Sequence, residues 1–419
     1  MSDIEFQTSS PSTSKTPSGF GKIVGSHGKV EKWPELPDGK SSATTTSVGE
    51  EASKEQKKSV AEKKLTIAEI VNARRIIDGP SDKLRAVSAV KYPWTRAIWN
   101  RMIGNKWEAD QVVLLRDKAE FSSLTKKQQS AFRRALAFLS NLDSIQTENL
   151  TLNVSNFITD PSIQQLIGRQ VNEEWIHVET YSTIIESIFD DPLEIYDMYR
   201  HNPLLSVKND FITQQGAQVT LSPTPQNKVK SIVANLALEG IYFFSGFTVF
   251  FAINRASGKM NGAVDGIKYI QRDELTHLDL FANTFNTLRV ERPELFTRKL
   301  LKECQTLLRT ACESEIVWGL HVIDGGIPEV NEDIVRGYIE FRTEEVAKLI
   351  GLSVYPNAKN PIPWVDDYRA ITKGNFFESK PTSYTESKPK FTRRSKVGAG
   401  VGREIAIPGT AVASQSSKH

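Results

Sequence analysis

The sequence predicts an all-α protein in which long helices pack into a bundle. Several long segments place apolar side chains at helical spacing, and strand-like alternation is scarce. Capping residues or first-turn prolines precede these segments. A hydrophobic fraction of 39% and a charged fraction of 25% are typical of a globular protein that buries a core.

The first two long helices have clear start signals. Thr125 and Gln128 form a capping box ahead of FRRALAFLSNLDSIQTENLTL, in which apolar residues recur at helical spacing. The second helix is expected to open after Asp160, because Pro161 in a first turn loses no hydrogen bond. It continues through IQQLIGRQVNEEWIHVETYSTIIESIF.

Further helices follow along the chain. The third starts near Pro225 and contains SIVANLALEGIYFFSGFTVFFAIN, and the fourth covers GIKYIQRDELTHLDLFANTFNTL. Two more are predicted from Pro293 to Val322 and from Asn331 to Leu352. The only strand-like stretch, QVTLSP around Val219, predicts a short hairpin arm.

Two polar arms flank this core. Residues 1–64 are rich in Ser, Thr, Pro, Gly and Lys and contain few large apolar residues, which predicts a disordered N-terminal arm. Residues 376–419 are similarly polar and predict a flexible C-terminal tail. The helical core is therefore expected to span residues 65–375.

The charge, the cysteine content and the N-terminal sequence indicate which binding class and which cellular compartment the protein fits. A net charge of +3 is too balanced to indicate a nucleic-acid binder. Cys304 and Cys312 lie in one predicted helix, about 12 Å apart, which is too far for a disulfide and fits a reducing compartment. The N-terminus resembles neither a secretory signal nor a transit peptide, so the cytoplasm is the expected location.

A doubled Glu-x-x-His motif is the strongest chemical signal. Glu174 and His177 lie in the second helix, and Glu274 and His277 in the fourth. Three residues make about one helical turn, so each pair projects from one face, which is also the apolar face. A single such pair is usually a solvated ion pair. Two pairs on apolar stripes favour metal ligands, because buried carboxylates are costly unless they are paired or bind a metal.

The other two long helices supply further carboxylates. Glu239 is the only charged residue between Lys230 and Arg255, and Asp143 lies near the apolar stripe of the first helix. Two histidines and four carboxylates from four helices are the ligand set of ferritin-like di-iron and di-manganese proteins. The prediction is a ferritin-like helical bundle with a di-metal carboxylate site in its core.

The third helix has an alternative interpretation as a membrane span, since it carries a single charge over more than twenty residues. Glu239 at mid-depth would be expensive in lipid, and Asn235 and Ser245 add polarity. A buried core helix with one metal ligand explains the same pattern, so no membrane contact is expected.

The ligand types indicate the metal and its chemistry. Oxygen-rich donors suit iron or manganese better than zinc or copper, and the lack of thiolates excludes an iron–sulfur cluster. Two such ions bridged by glutamate can reduce dioxygen to an oxidant that attacks a C–H bond or a nearby phenol. Tyr181, four residues after His177, is the nearby phenol. Its alternative role is that of an ordinary buried tyrosine.

Six segments together resemble the small, radical-generating subunit of class I ribonucleotide reductase. They are YPWTRAIWNRMIGNKWEADQV, LDSIQTENL, NEEWIHVETYSTIIES, LALEGIYFFSGF, IQRDELTHL and NPIPWVDDY, and they follow the family's order over residues 84–377. The resemblance implies a homodimer that passes a radical equivalent to a large catalytic subunit, where ribonucleotides are reduced.

The resemblance also implies a role for each matching residue. The first ion would be held by Asp143, Glu174, His177 and Glu274. The second would be held by Glu239 and His277, with Glu174 and Glu274 bridging the two ions. The cofactor implied is a pair of iron ions, with two manganese ions or one ion of each metal as alternatives.

Further implied roles concern the radical. Tyr181 matches the tyrosyl-radical site, and a shielding apolar pocket matches Phe243, Phe247 and Ile270. Trp107 and Asp273 match the electron-transfer route, in which Asp273 hydrogen-bonds the outer nitrogen of His177. Tyr384 is the candidate relay tyrosine of the tail. The tail is basic around FTRRSK and ends in AVASQSSKH, whereas family members usually end in an acidic tail with an aromatic terminus.

Two other functions are compatible with the ligands alone. One is a ferritin-like di-metal oxidase or hydroxylase that acts on its own substrate, and the other is an iron-binding or purely structural bundle. Trp107, Asp273 and Tyr181 favour the reductase subunit, because a hydroxylase needs no path from the surface to the metal and a storage protein needs no tyrosine beside it.

Overall fold

A computed structural model describes residues 65–80, 84 and 89–368. The predicted N-terminal arm, the predicted C-terminal tail and Tyr384 lie outside these ranges. Within them the chain is all-α, as predicted, and the only strand-like pairing is an isolated bridge between Ile77 and Ile158.

The helices are numbered here in chain order. Their bounds are α1 Ile67–Ala73, α2 Trp94–Gly104, α3 Asp117–Ser122, α4 Lys126–Asn149, α5 Pro161–Ile188, α6 Pro192–His201, α7 Pro203–Leu221, α8 Pro225–Ser257, α9 Asn261–Glu291, α10 Arg298–Ile323 and α11 Glu332–Leu349. Short 3₁₀ turns occur at Ala109–Gln111 and Pro293–Leu295. A π-helical turn, Leu150–Val154, extends α4, and another, Leu238–Tyr242, interrupts the α-helical hydrogen bonding of α8.

The predicted starts of the first two long helices are confirmed, whereas the helix predicted from Pro293 begins at Arg298, after a separate 3₁₀ turn. Thr125 and Gln128 form a reciprocal capping box at α4. The side chain of Asp160 accepts hydrogen bonds from the first turn of α5, where Pro161 occupies the first position. Such caps satisfy amides that have no partner inside the helix.

The predicted hairpin around Val219 is wrong, because this stretch forms the end of α7. Asn202 caps that helix and Pro203 opens it. Val219 is buried where α7 packs against α4 and α8. Tertiary packing on an apolar face outweighs the β-propensity of a short valine- and threonine-containing run.

Four helices form the central bundle. α4 packs against α5, α5 against α9, α9 against α8, and α8 back against α4. α8 is long and apolar enough to cross a membrane, but 94% of its most hydrophobic window is buried inside this fold. Its composition is therefore accounted for by its place in the core.

A buried ion pair joins α7 to α10 beside the bundle. The ammonium group of Lys208 donates to Glu315, and both side chains are almost fully buried. The ammonium also lies 3.5 Å from the ring centre of Phe138 and 4.5 Å from that of Tyr242. Burial lowers the pKa of Lys208 to about 8, although the charge of Glu315 opposes that shift.

Glu315→Ala is expected to destabilise the fold by about 3–5 kcal/mol, because it leaves a buried ammonium without its counter-charge. Urea unfolding followed by circular dichroism measures this change. The matched control is Asp190→Ala, which removes an exposed ion pair with Lys118 and should change stability little. Equal effects of the two substitutions would contradict the prediction.

Candidate metal centre

The four bundle helices bring the six predicted ligands together at the centre of the fold. All six side chains are fully buried. They are Asp143 on α4, Glu174 and His177 on α5, Glu239 in the π-helical turn of α8, and Glu274 and His277 on α9.

The first group of potential ligands surrounds the Nδ1 atom of His177. Glu274 Oε1 lies 3.1 Å from this nitrogen, and Glu174 Oε2 lies 3.3 Å from it. Asp143 Oδ2 lies at 3.7 Å. One ligand atom from each of these four residues lies within 4.8 Å of the others, which is close enough to hold one ion.

The second group surrounds the Nδ1 atom of His277 in the same way. Glu274 Oε2 lies at 2.8 Å, Glu174 Oε1 at 3.3 Å and Glu239 Oε2 at 3.5 Å. Glu174 and Glu274 therefore present one carboxylate oxygen to each histidine. This is the arrangement that a carboxylate needs in order to bridge two ions.

The residues present fit a di-metal site. Several buried ligand atoms have no hydrogen-bond partner in the described part of the chain: both carboxylate oxygens of Asp143, Glu174 Oε2, His177 Nδ1, Glu239 Oε2 and Glu274 Oε1. Such atoms are costly to bury unless an ion compensates them. Four carboxylates and two imidazoles are a suitable donor set for two divalent cations of the iron or manganese kind.

The pKa values of the carboxyl groups in the cluster are shifted because several acids lie close together and away from solvent. Burial raises the pKa of Asp143 and of Glu239 well above the usual range, and neighbouring carboxylates add to the shift. Burial opposes ionisation of Glu274 as well, but the charges of His277 and His177 outweigh it and lower its pKa. Added positive charge, such as that of a bound cation, would therefore stabilise the ionised carboxylates of the cluster.

A second layer of residues fixes the two imidazoles from behind. Asp273 Oδ2 lies 3.4 Å from His177 Nε2 and accepts a 2.6 Å hydrogen bond from Trp107 Nε1. Glu173 Oε2 lies 3.0 Å from His277 Nε2, and Arg169 Nε donates to Glu173 at 3.0 Å. Each histidine is thus turned so that Nδ1 faces the cluster, which is how such partners orient metal ligands.

Sequence reasoning missed the partners of His277 and Glu239. Gln170 Nε2 donates to Glu239 Oε1 at 2.8 Å and to Glu174 Oε1 at 3.1 Å, and Gln146 Nε2 also donates to Glu239 Oε1. Gln170 precedes Glu174 by one helical turn, so its place on the ligand face was a usable signal. Glu173 had no comparable signal.

The π-helical turn that carries Glu239 was also not predicted. Turns of this kind often occur at functional sites. A Cβ atom at Gly240 would lie only 2.4 Å from Val346 Cγ2, so glycine permits the close approach of α11. Arg342 donates from Nε and from a terminal nitrogen to the carbonyl oxygen of Gly240, at 3.2 and 3.1 Å.

The predicted radical residues are buried near the cluster. Tyr181 is fully buried, and its hydroxyl has no hydrogen-bond partner among the described residues. Burial raises the pKa of its phenol well above the usual value, and the charges of Asp143 and Glu274 add to the shift. The predicted pocket residues, all fully buried, are Phe243, Phe247 and Ile270.

Trp107 extends from the site toward another aromatic residue. Its ring stacks on that of His177 with centroids 6.1 Å apart. On another side it contacts the half-buried Tyr269, with centroids 5.1 Å apart, a neighbour that sequence reasoning did not single out.

Comparison with known proteins identifies the family. The model of the ribonucleotide reductase small chain matches residues 86–361. A ribonucleoside-diphosphate reductase subunit beta from Halalkalibacterium halodurans is 31% identical over 74% of this chain and 91% of that protein. A ribonucleotide reductase R2 subunit from Clostridium botulinum is 34% identical, with a TM-score of 0.69 over 71% of this chain and 94% of that one.

A second solved structure supports the fold alone. A dimanganese(II)-NrdF from Streptococcus sanguinis has a TM-score of 0.59 at 20% identity, over 70% of this chain and 99% of that one. The fold, the ligand cluster and these relatives agree with the sequence-based resemblance. The chain belongs to the ribonucleotide reductase small-chain family and is a small subunit of a class I ribonucleoside-diphosphate reductase.

Proposed function

We propose that this subunit binds two iron ions with its six buried ligands and generates a radical on Tyr181 for use by the large catalytic subunit, which reduces ribonucleotides to deoxyribonucleotides. The observation that carries the proposal is a pair of ligand groups sharing two carboxylates, with a fully buried phenol one turn beyond His177. Two manganese ions, or one ion of each metal, are alternative loadings of the same donor set.

The bound ions, with dioxygen, supply the oxidising power for a one-electron oxidation of a phenol. The protein supplies the surroundings. Because Tyr181 is fully buried, bulk water and reductants are kept from its phenol, and the same burial raises the pKa of the phenol. The proposed pocket of Phe243, Phe247 and Ile270 offers no group that a radical oxidises readily.

The route of the radical equivalent is part of the proposal. Asp273 lies between the indole of Trp107 and the imidazole of His177, which gives a hydrogen-bonded path out of the metal centre. We propose Tyr384, in the tail, as the next relay toward the large subunit.

Assembly and location complete the proposal. We propose a homodimer in the cytoplasm with no nucleic-acid or membrane partner. The balanced charge supports the absence of a nucleic-acid partner. The burial of α8 within the fold supports the absence of a membrane partner. Size-exclusion chromatography with light scattering tests the dimer, and a monomer at micromolar concentration would contradict it.

Tyr181→Phe tests the radical site directly. Wild-type protein given ferrous or manganous ion and then oxygen is expected to show a tyrosyl signal in electron paramagnetic resonance (EPR). The variant should bind the same amount of metal and show no such signal. Bound metal without a radical in the wild type, under either metal, would instead favour a di-metal oxidase or hydroxylase.

A further inference from the structure

A chain of side-chain hydrogen bonds runs from the surface to the metal centre. The hydroxyl of exposed Thr220 donates to Asn153 Oδ1 at 2.6 Å, and Asn153 Nδ2 donates to Asn149 Oδ1 at 3.2 Å. Asn149 Nδ2 then donates to Gln146 Oε1 at 3.0 Å, and Gln146 Nε2 donates to Glu239 Oε1. We call Thr220, Asn153, Asn149 and Gln146 the amide relay.

Every bond of the amide relay points in the same direction. Each amide side chain accepts from the residue nearer the surface and donates to the residue nearer Glu239, so the dipoles align and strengthen one another. Asn235 Oδ1 braces the inner half by accepting from Gln146 at 3.0 Å and from Asn149 at 3.1 Å. An oriented, braced donor is suited to holding a carboxylate in one position.

The amide relay makes the two ends of the metal centre unequal. Glu239 Oε1 accepts from both Gln146 and Gln170, which leaves Oε2 as its oxygen for an ion. Asp143, at the other end, has no hydrogen bond from a described residue to either oxygen. Glu239 can therefore offer one oxygen, whereas Asp143 can offer two.

We propose that the amide relay positions Glu239 and so sets the affinity of the ion that Glu239 shares with His277. Gln146 and Asn149 are positioning residues in this proposal and do not touch the ion. The inference rests on the proposed di-metal function. It adds that the packing of α7, which carries Thr220, controls one of the two ion sites.

Gly216 on α7 lies against the amide relay, so a substitution there would disturb the relay without changing any of its own residues. A Cβ atom at this position would lie 2.5 Å from Asn149 Oδ1 and 3.2 Å from Asn153 Nδ2. α7 can pack against the relay because residue 216 has no side chain. Gly216→Ala should therefore displace Asn149, although alanine is itself favourable within a helix.

Titration of the metal-free full chain with manganous ion, followed by EPR of free and bound ion, tests the proposal. Glu239→Ala identifies the binding step that depends on Glu239. Gln146→Met, which keeps the length but loses the donor, should weaken that step by about 10- to 100-fold and leave the other unchanged. Gly216→Ala should act in the same direction.

The matched control is Gly168→Ala on α5, where an added Cβ atom meets nothing within 4 Å and both steps should stay as in the wild type. The proposal is overturned if Gln146→Met binds two ions with wild-type affinity, or if both steps weaken equally, as a general loss of structure would cause. Wild-type protein that binds no ions would overturn the proposed function together with the relay. Two ions bound with normal affinity by wild type, Gln146→Met and Gly216→Ala would overturn the relay alone.

Discussion

Glu174→Ala is expected to abolish the binding of both ions, whereas Glu239→Ala should remove only one. Glu174 presents Oε2 to His177 and Oε1 to His277, so its loss takes a ligand from each group. Glu239 approaches only the His277 group. Metal analysis after gel filtration should give a stoichiometry near zero for the first variant and near one for the second.

The same variants predict a difference in stability. An ion present at 100 times its dissociation constant stabilises the folded state by about 2.7 kcal/mol, so loss of binding removes that gain. In metal-free protein, Glu174→Ala removes one of several crowded buried acids and should leave the helical circular dichroism intact. The control is Glu179→Ala, an exposed acid on the same helix. Two ions bound to Glu174→Ala would contradict the bridging geometry.

The helices and the buried cluster of acids and imidazoles were predictable from the sequence because two independent patterns coincide. The spacing of apolar residues shows which face of each helix is buried. Charged groups such as Glu174 and Glu239 then fall on that face, where burial makes them exceptional. Residues that violate the hydrophobic pattern thus mark the centre of the bundle.

The amide relay and Glu173 could not be predicted in the same way. Gln146 and Asn149 are neutral amides. A neutral amide on a helix face does not conflict with the hydrophobic pattern as a buried charge does. Their importance comes from neighbours on other helices, as with Asn235, and those contacts are set by tertiary packing. Glu173 looks like a surface acid until α9 is placed beside it.

The local irregularity in α8 could not be predicted from the sequence either. The π-helical turn of α8 inserts one residue into the helical repeat, and the apolar composition on both sides conceals the change of period. The wrong prediction at Val219 has a different cause, because the partners that bury this short strand-like run in α7 lie on other helices, α4 and α8.

Trp107→Phe is expected to leave two ions and the tyrosyl signal in place while ribonucleotide reduction with the large subunit falls to background. Phenylalanine keeps an aromatic ring against His177 but lacks the N–H group that donates to Asp273 Oδ2. It is also much harder to oxidise than an indole. The hydrogen-bonded path is then broken outside the metal centre. Turnover assays and EPR on the same preparation separate the two steps.

Trp94→Phe is the matched control, because its indole also donates a hydrogen bond, at 3.0 Å to Thr287, but makes no hydrogen bond to a residue of the metal centre. It should retain both the radical and turnover. Near-normal turnover in Trp107→Phe would show that the radical equivalent leaves by another route. Loss of the tyrosyl signal itself would place Trp107 in the assembly of the centre, upstream of transfer. The proposal requires neither of these outcomes. It requires that in Trp107→Phe the radical persists on Tyr181 and no longer reaches the large subunit.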